Sequence, residues 1–343
     1  MDKDNKIKRS LVISGGGSKG AFAGGIVDYL TTVKNIKYDL YVASSTGTLV
    51  QLLTSTGNIP RLREAYTTVK NEDIWKSNPF KVTKNQKGKV KMELNWKKVL
   101  LNIMPRFKFV KTKKFPWFKL EKIDGSISFG DSSNLGKLIR RFMTEKEYNR
   151  VREELQSELV VCVVNATLRK LEYKSSNDWG YDDFCDWTHA SCSAYPFMSV
   201  VMKNDMQYID GGILETVPIQ EAINRGATEI DVIILKEEEP KFEAEYIRNV
   251  FHGIMKGIDM MHTELNKGDI QIGKLKAITS DREINMNFYY TPRNLTNNSL
   301  IFDKDIMSEW WDEGFEYAKN KKFKKYKLVK GRKAKLIKEM INS

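Results

Sequence analysis

The feature that most constrains this chain is a serine, Ser45, that stands between an apolar run and a helical pattern. The apolar run at 38–42 predicts a strand, and residues 48–53 predict the start of a helix. Small residues stand two positions to either side of the serine, Ala43 before it and Gly47 after it. A strand, a sharp turn and a helix in this order are typical of a nucleophile elbow, which exposes the serine hydroxyl. The pattern predicts Ser45 as a nucleophile on an α/β sheet.

A glycine-rich loop lies upstream of Ser45, in a second unit of strand, loop and helix. The strand is predicted at 10–14 and the helix at 21–30. The free N–H groups of such a loop and of the first helical turn point outward with the positive end of the helix dipole. They favour an anion, which can be a phosphate or a developing oxyanion. The candidate oxyanion residues are Gly15, Gly16, Gly17, Ser18, Lys19 and Gly20.

The spacing of this loop also allows two nucleotide-binding interpretations. Gly15, Gly17 and Gly20 satisfy the dinucleotide pattern G-x-G-x-x-G, which needs an acid at the carboxyl end of the second strand. Asp39 is the nearby acid, but it stands at the start of that strand, about three residues too early. A Walker loop needs Ser or Thr after its lysine, whereas Lys19 is followed by glycine. Both nucleotide interpretations are therefore disfavoured.

A third motif combines an acid with two glycines. The strand predicted at 208–209 ends at Asp210, and the tight turn Gly211-Gly212 follows it. Pro218 then opens a further helix. An open parallel sheet gathers its ligands at the carboxyl ends of its strands, where Ser45 and the glycine loop are also predicted. Together the three motifs supply a nucleophile, oxyanion donors and a base.

In their order and spacing, these motifs resemble those of the patatin-like phospholipase family. That family has a G-G-G-x-K/R-G oxyanion loop, a G-x-S-x-G elbow and an Asp-Gly-Gly/Ala base turn, which match residues 15–20, 43–47 and 210–212. The small-residue block at 190–197, which contains a proline, is similar to the block that precedes the family's base turn. The resemblance spans residues 8–235 and implies a three-layer α/β/α hydrolase with a central, mostly parallel sheet.

The resemblance implies acyl transfer by a Ser-Asp dyad that needs neither a cofactor nor a metal ion. Asp210 would accept the hydroxyl proton of Ser45, and N–H groups around Gly16 and Gly17 would stabilise the oxyanion. A carboxylate is a weak base at its usual pKa, so a working dyad requires a sheltered site that raises the pKa of Asp210. The expected activity is hydrolysis of the carboxylic esters of membrane lipids, with phospholipids or other acyl lipids as substrates.

Two alternatives to a Ser-Asp hydrolase remain open from the sequence. His252 and His262 follow Asp210 in the order of a Ser-Asp-His triad, although the long helical pattern at 246–265 favours packing or surface roles for both. The elbow of the family usually begins with glycine, where this chain has Ala43. The second alternative is therefore a non-catalytic lipid- or polyanion-binding protein on a degenerate hydrolase scaffold.

The composition favours a soluble enzyme in a reducing compartment. Of the 343 residues, 41% are hydrophobic, and the three cysteines lack the spacing of a metal site or of a disulfide framework. No apolar run reaches the roughly 18 residues of a transmembrane span, and the charged residues 1–9 do not resemble a secretory signal. The expected location is cytoplasmic, with peripheral association with a membrane.

Positive charge is concentrated in two segments of this chain, whose net charge is +13. Residues 81–122 carry 14 lysines and arginines against two glutamates, among aromatic residues that include Trp96, Trp117 and Phe118. A helix predicted over 92–104 has Trp96 on its apolar face. Such a segment suits an anionic bilayer interface, and it equally suits a helix packed on the protein's own core. Because no nucleic-acid module is recognisable, an anionic membrane is the expected partner of these aromatic residues.

These patterns divide the chain into two parts. Residues 8–235 form the predicted acylhydrolase domain, with a basic aromatic insert at about 76–123. Residues 236–343 are predicted as a helical C-terminal extension with a second basic segment at 319–338. The insert is expected near the cleft, as a lid or as a docking surface.

Overall fold

The centre of the fold is a sheet whose middle strands are apolar on both faces. The computed structural model of the protein describes residues 8–84, 90–103, 107–111, 116–120, 128–240, 246–296 and 298–321. The strands are β1 (Arg9–Ile13), β2 (Leu40–Ser44), β3 (Phe80–Lys84), β4 (Val90–Leu94), β5 (Phe107–Lys111), β6 (Pro116–Leu120), β7 (Glu158–Asn165), β8 (Lys170–Ser175), β9 (Val201–Lys203), β10 (Met206–Asp210), β11 (Glu229–Ile234) and β12 (Asn285–Tyr290).

Helices connect the strands and cover the sheet. They are α1 (Gly20–Asp28), α2 (Thr46–Ser55), α3 (Ile59–Thr68), α4 (Asn71–Ile74), α5 (Trp96–Ile103), α6 (Ser133–Phe142), α7 (Glu145–Glu153), α8 (Tyr181–Ser191), α9 (Ile219–Asn224), α10 (Val250–Thr279) and α11 (Lys304–Asn320). None of the helices that the structure describes is both long enough and apolar enough to cross a membrane.

The sheet is mixed and mostly parallel. Within the described residues, eight strands form it in the order β12-β11-β1-β2-β7-β10-β9, and β8 also pairs with β7. The strands β12, β11, β1, β2 and β7 run parallel, whereas β8, β9 and β10 join through antiparallel pairs. Two hairpins, β3–β4 and β5–β6, lie outside this sheet.

Two hydrophobic cores lie on opposite faces of the sheet. Side chains alternate along each strand, so Leu11 and Ile13 of β1 pack into one core and Val12 packs into the other. The first core includes residues of α1, α2, α3, α8 and α11, and the second includes residues of α9 and the C-terminal part of α10. Strands covered on both faces are expected in a parallel sheet. The predicted three-layer α/β/α fold is confirmed.

The segment after Leu235 is not only helical, because part of it joins the sheet. β12 pairs in parallel with β11, and its residues Met286, Phe288 and Tyr290 pack against the second core. This alternation within Asn-Met-Asn-Phe-Tyr-Tyr is a strand pattern that the helical prediction for 236–343 missed. Most of the basic segment predicted at 319–338 lies outside the described residues.

The basic insert contains more strand than its sequence predicted. The helix predicted over 92–104 begins only at Trp96, because Met92 pairs with Val82 in the β3–β4 hairpin. Trp117 and Phe118 belong to β6, but their side chains lie outside the described residues.

Candidate active site

The register of three strands brings Ser45 and Asp210 together. β2 and β10 pair with the same edge of β7, where Ser44 is opposite Cys162 and Asp210 is opposite Val163. Because those two β7 residues are consecutive, the carboxyl ends of β2 and β10 meet. Ser45 and Asp210 line the same cavity, and the Ser45 hydroxyl is close enough to the Asp210 carboxylate to influence its pKa.

Ser45 lies on a sharp turn with an uncommon backbone conformation. Its φ is 52° and its ψ is −131°, a combination that a residue with a side chain rarely adopts. Hydrogen bonds hold the turn, since the carbonyl oxygen of Ser45 accepts from Thr48 Oγ1 at 2.7 Å. At Gly47, an added Cβ would lie 2.5 Å from the carbonyl oxygen of Ile13, so only glycine lets α2 start this close to β1. Ser45 thus stands on a sharp turn between β2 and α2.

Ala43, which stands where the family usually has glycine, fits the structure without backbone strain. It is fully buried in β2, pairs with Ile13 and Val161, and is not among the described residues with positive φ. A methyl group strains the backbone where φ is positive. The departure from the family pattern therefore leaves the serine turn intact.

Asp210 is buried at the end of β10, with 5% of its surface exposed. Its Oδ1 accepts the N–H of Gly212 at 2.8 Å. Burial raises the pKa of this carboxyl from its usual 3.8 to about 7, although the Ser45 hydroxyl and the Gly212 N–H act in the opposite direction. A carboxylate with such a pKa can accept a proton at neutral pH.

The small-residue block at 190–197 supports the backbone of both residues. Ser191 Oγ accepts the N–H of Ser45 at 3.2 Å, and the thiol of Cys192 donates to the Ser45 carbonyl oxygen at 3.2 Å. The carbonyl oxygen of Ser193 accepts the N–H of Asp210 at 3.1 Å. Three consecutive residues thus fix the serine and the acid relative to each other.

The glycine loop lies directly beside the serine, since a Cβ added at Gly15 would be 3.1 Å from Ser45 Cβ. Four of the six predicted oxyanion residues donate their N–H groups to carbonyl oxygens of the protein: Gly15, Ser18, Lys19 and Gly20. The N–H groups of Gly16 and Gly17 have no acceptor in the part of the chain that the structure describes. Of the six candidate residues, Gly16 and Gly17 are therefore the two whose N–H groups are available to an oxyanion.

Ser45 and Asp210 line a cavity with a volume of about 370 Å³. Much of its wall is apolar, with contributions from α2 and α6: Leu49, Leu52, Leu53, Leu135, Leu138, Ile139 and Phe142. Its polar side includes Lys19, Lys236 and His262. Among the described residues, no group of three His, Cys, Asp or Glu side chains could hold a metal ion.

No described histidine lies between Ser45 and Asp210. His252 Nδ1 accepts the N–H of Arg248 at 3.1 Å and is not part of the cavity wall. His262 does line the cavity, but it forms no hydrogen bond with any described residue. Sequence reasoning assigned His262 a packing or surface role, although its spacing from Met255 and Ile258, which also line the cavity, could have indicated this position.

The fold and this site define a three-layer α/β/α protein with a serine elbow and a buried acid. The family model for patatin-like phospholipases matches residues 11–223, which include all three motifs. The chain belongs to the patatin-like phospholipase family, as the resemblance predicted.

Among solved structures, VipD is one to which this chain is similar. The crystal structure of VipD from Legionella pneumophila matches with 13% sequence identity and a TM-score of 0.47. The match covers 91% of this chain and 66% of the VipD chain, so this chain spans just under two thirds of that length. The search of curated proteins gave no significant match.

Proposed function

We propose that this protein hydrolyses carboxylic esters of membrane lipids through Ser45 and Asp210. The observation that carries the proposal is that Ser45, on its strained turn, lies in the same cavity beside a buried carboxylate with a pKa of about 7. Membership of a phospholipase family supports lipid hydrolysis at the family level.

In the proposed reaction, Asp210 takes the hydroxyl proton while Ser45 Oγ attacks the ester carbonyl carbon. The N–H groups of Gly16 and Gly17 stabilise the negative oxygen of the tetrahedral intermediate. The intermediate collapses to an acyl-enzyme, and Asp210 returns the proton to the departing alcohol oxygen. A water molecule, deprotonated by Asp210, then attacks the acyl carbon, and Ser45 leaves with that proton as the fatty acid is released.

The apolar wall of the cavity supports a substrate with a long acyl chain. Leu49 and Leu53 lie on α2, the helix that begins at the elbow, and Ile139 and Phe142 lie on α6 across the same cavity. An apolar chain in contact with these side chains is removed from water, which is favourable by about 0.8 kcal/mol for each CH₂ group.

Release of free fatty acid from phospholipid vesicles by the purified full chain tests this proposal. We expect continuous release over many turnovers. Binding to the vesicles without release would favour the alternative, a non-catalytic lipid-binding protein. The strain-free fit of Ala43 removes the main sequence argument for that alternative.

The pH dependence of hydrolysis should follow the ionisation of Asp210. The base must be deprotonated to accept the serine proton, and its pKa is about 7. We therefore expect kcat/KM for a soluble ester to fall about tenfold for each pH unit below 7 and to level off above about pH 8. A profile that is flat from pH 5 to pH 8 would contradict this role of Asp210.

Exposed apolar side chains on α5 and around the N-terminal part of α10 support a membrane-facing surface. On α5, Trp96 is 56% exposed and Leu101 is 68% exposed, while Lys97 and Lys98 lie beside them in solvent. A second group of exposed apolar residues lies just before α10 or in its N-terminal half: Tyr246, Ile247, Val250, Met260 and Met261. Phe251 of α10 contacts the ring of Phe197, which lines the cavity.

Loss of the exposed α5 side chains should reduce activity on vesicles specifically. Because Trp96 and Leu101 are mostly exposed, the double substitution Trp96→Ala/Leu101→Ala should leave the fold intact. We expect hydrolysis of anionic vesicles to fall about tenfold, from the lost apolar insertion, with no change on a soluble short-chain ester. Leu168→Ala, at a side chain that is 55% exposed, is the matched control. Equal losses on both substrates would rule out a docking role.

A further inference from the structure

The polar side of the cavity carries three basic side chains from three separate parts of the fold. Lys19 comes from the glycine loop, Lys236 follows β11, and His262 lies on α10. Lys236 and His262 are outside the residues that match the family model, which end at 223. This end of the cavity therefore depends on the C-terminal part of the chain.

Two lysines and a histidine lie with Asp259 at this end of the cavity, and Glu237 is close enough to raise the pKa of Lys19. Lys236 Nζ forms an ion pair with Asp259 at 2.8 Å and donates to Thr263 Oγ1 at 2.5 Å. Lys19 Nζ donates to the carbonyl oxygen of Leu235 at 2.5 Å and forms no ion pair with a described residue. Asp259 is the carboxylate that lines this side of the cavity, facing two lysines and a histidine.

Burial and neighbouring positive charges both lower the pKa values of Lys19 and His262. Burial and then the charge of Lys236 lower the pKa of Lys19 to about 8. Burial, Lys236 and Lys19 together lower the pKa of His262 below its usual value. An anion held among these side chains would relieve their mutual repulsion.

Ser45 lies at the junction of this basic side and the apolar wall. It adjoins Gly15 on the loop that carries Lys19, and it stands at the N-terminus of the helix that carries Leu49 and Leu53. An ester attacked at this position can extend an acyl chain along the apolar wall and its alcohol part toward the basic side chains. The apolar wall thus matches the acyl chain of a lipid, and the basic side chains match a negatively charged headgroup.

We propose that Lys236 and His262, together with Lys19, bind the phosphate group of a lipid ester and select it over neutral acylglycerols. The inference rests on the proposed ester hydrolysis at Ser45. Lysine and imidazole N–H groups form charge-assisted hydrogen bonds with phosphate oxygens, which are stronger than neutral ones. Asp259 competes with the phosphate group for Lys236, so Asp259 lowers the affinity of the subsite for phosphate.

Two esters that differ only in the phosphate test the assignment in the full-length protein. The substrates are dihexanoylphosphatidic acid and dihexanoylglycerol, both as monomers in solution. We expect Lys236→Met to lower kcat/KM for the phosphate ester about tenfold and His262→Gln about threefold, with less than a twofold change for dihexanoylglycerol. Lys267→Met, at an exposed α10 lysine outside the cavity wall, is the matched control. Equal losses on both substrates would overturn the assignment.

Two further experiments test the phosphate subsite separately. A variant that is expected to gain activity cannot be explained by misfolding, and a binding measurement does not depend on turnover. Asp259→Asn removes the ion pair with Lys236, whose bonds to the Asp259 carbonyl oxygen and to Thr263 Oγ1 can remain. It should raise kcat/KM for the phosphate ester about threefold, whereas a decrease would contradict the subsite. Calorimetry of dihexanoylphosphatidic acid with the Ser45→Ala protein should show binding that Lys236→Met weakens. Wild-type protein that hydrolyses neither ester would refute the proposed function, while the calorimetry would still decide on the subsite. Inorganic phosphate that bound as tightly as the lipid would indicate a free-phosphate site and overturn the inference.

Discussion

Replacing Ser45 with alanine is expected to abolish ester hydrolysis, with kcat lowered by about five to six orders of magnitude. Losses of this size follow removal of the nucleophile from a serine protease, because no covalent route remains. Alanine has a Cβ like serine, so the positive φ of the turn is no more strained than before. The measurement is kcat for a soluble ester, with circular dichroism to verify the fold.

Ser280→Ala is the control for this substitution, since Ser280 follows α10 and does not line the cavity. It should retain full activity. Retention of more than one per cent of activity in folded Ser45→Ala protein would exclude Ser45 as the nucleophile.

Replacing Asp210 with asparagine should lower kcat by three to four orders of magnitude and change KM little, by analogy with removal of a catalytic partner in serine proteases (about 10⁴). The asparagine amide oxygen can still accept the N–H of Gly212, so the turn should persist. The folded-state pKa of Asp210 is raised, so the wild-type carboxylate costs stability increasingly as pH rises toward 7. At pH 8 the asparagine variant should therefore melt at the same temperature as wild type or higher.

Glu215 offers a matched control for Asp210. It is also buried, and burial likewise raises its pKa to about 7, but its carboxylate accepts from Tyr173 and is not bonded to Ser45. We expect Glu215→Gln to change kcat less than tenfold. If both variants lost activity equally, loss of a buried acid in general would explain the result, and the assignment of Asp210 as the base would fail.

The motifs of the site could be predicted because each is a local pattern. A strand, a small-residue turn and a helix surround Ser45, and the same short-range logic found the glycine loop and the turn after Asp210. Local sequence also predicted the strands that precede these three segments, β1, β2 and β10. Residue types and their immediate neighbours suffice where the chemistry of a segment is decided within about ten residues.

Features that depend on contacts between distant segments could not be predicted in this way. The adjacency of Ser44 and Asp210 depends on their register along β7, which no single segment encodes. β12 was missed because its strand is defined by pairing with β11, and the helical patterns around it dominate the sequence. His262 reaches the cavity only because α10 and the glycine loop, which are distant in sequence, line the same cavity, so its helical pattern alone indicated packing.

Mass spectrometry of the protein after reaction with a fluorophosphonate tests the central claim most directly. The reagent phosphonylates activated serines, and the account predicts a single adduct on the peptide that contains Ser45. The adduct should be absent in Ser45→Ala and should form much more slowly in Asp210→Asn. An adduct on a different serine, or a wild-type protein that does not react at all, would contradict a Ser45–Asp210 hydrolase.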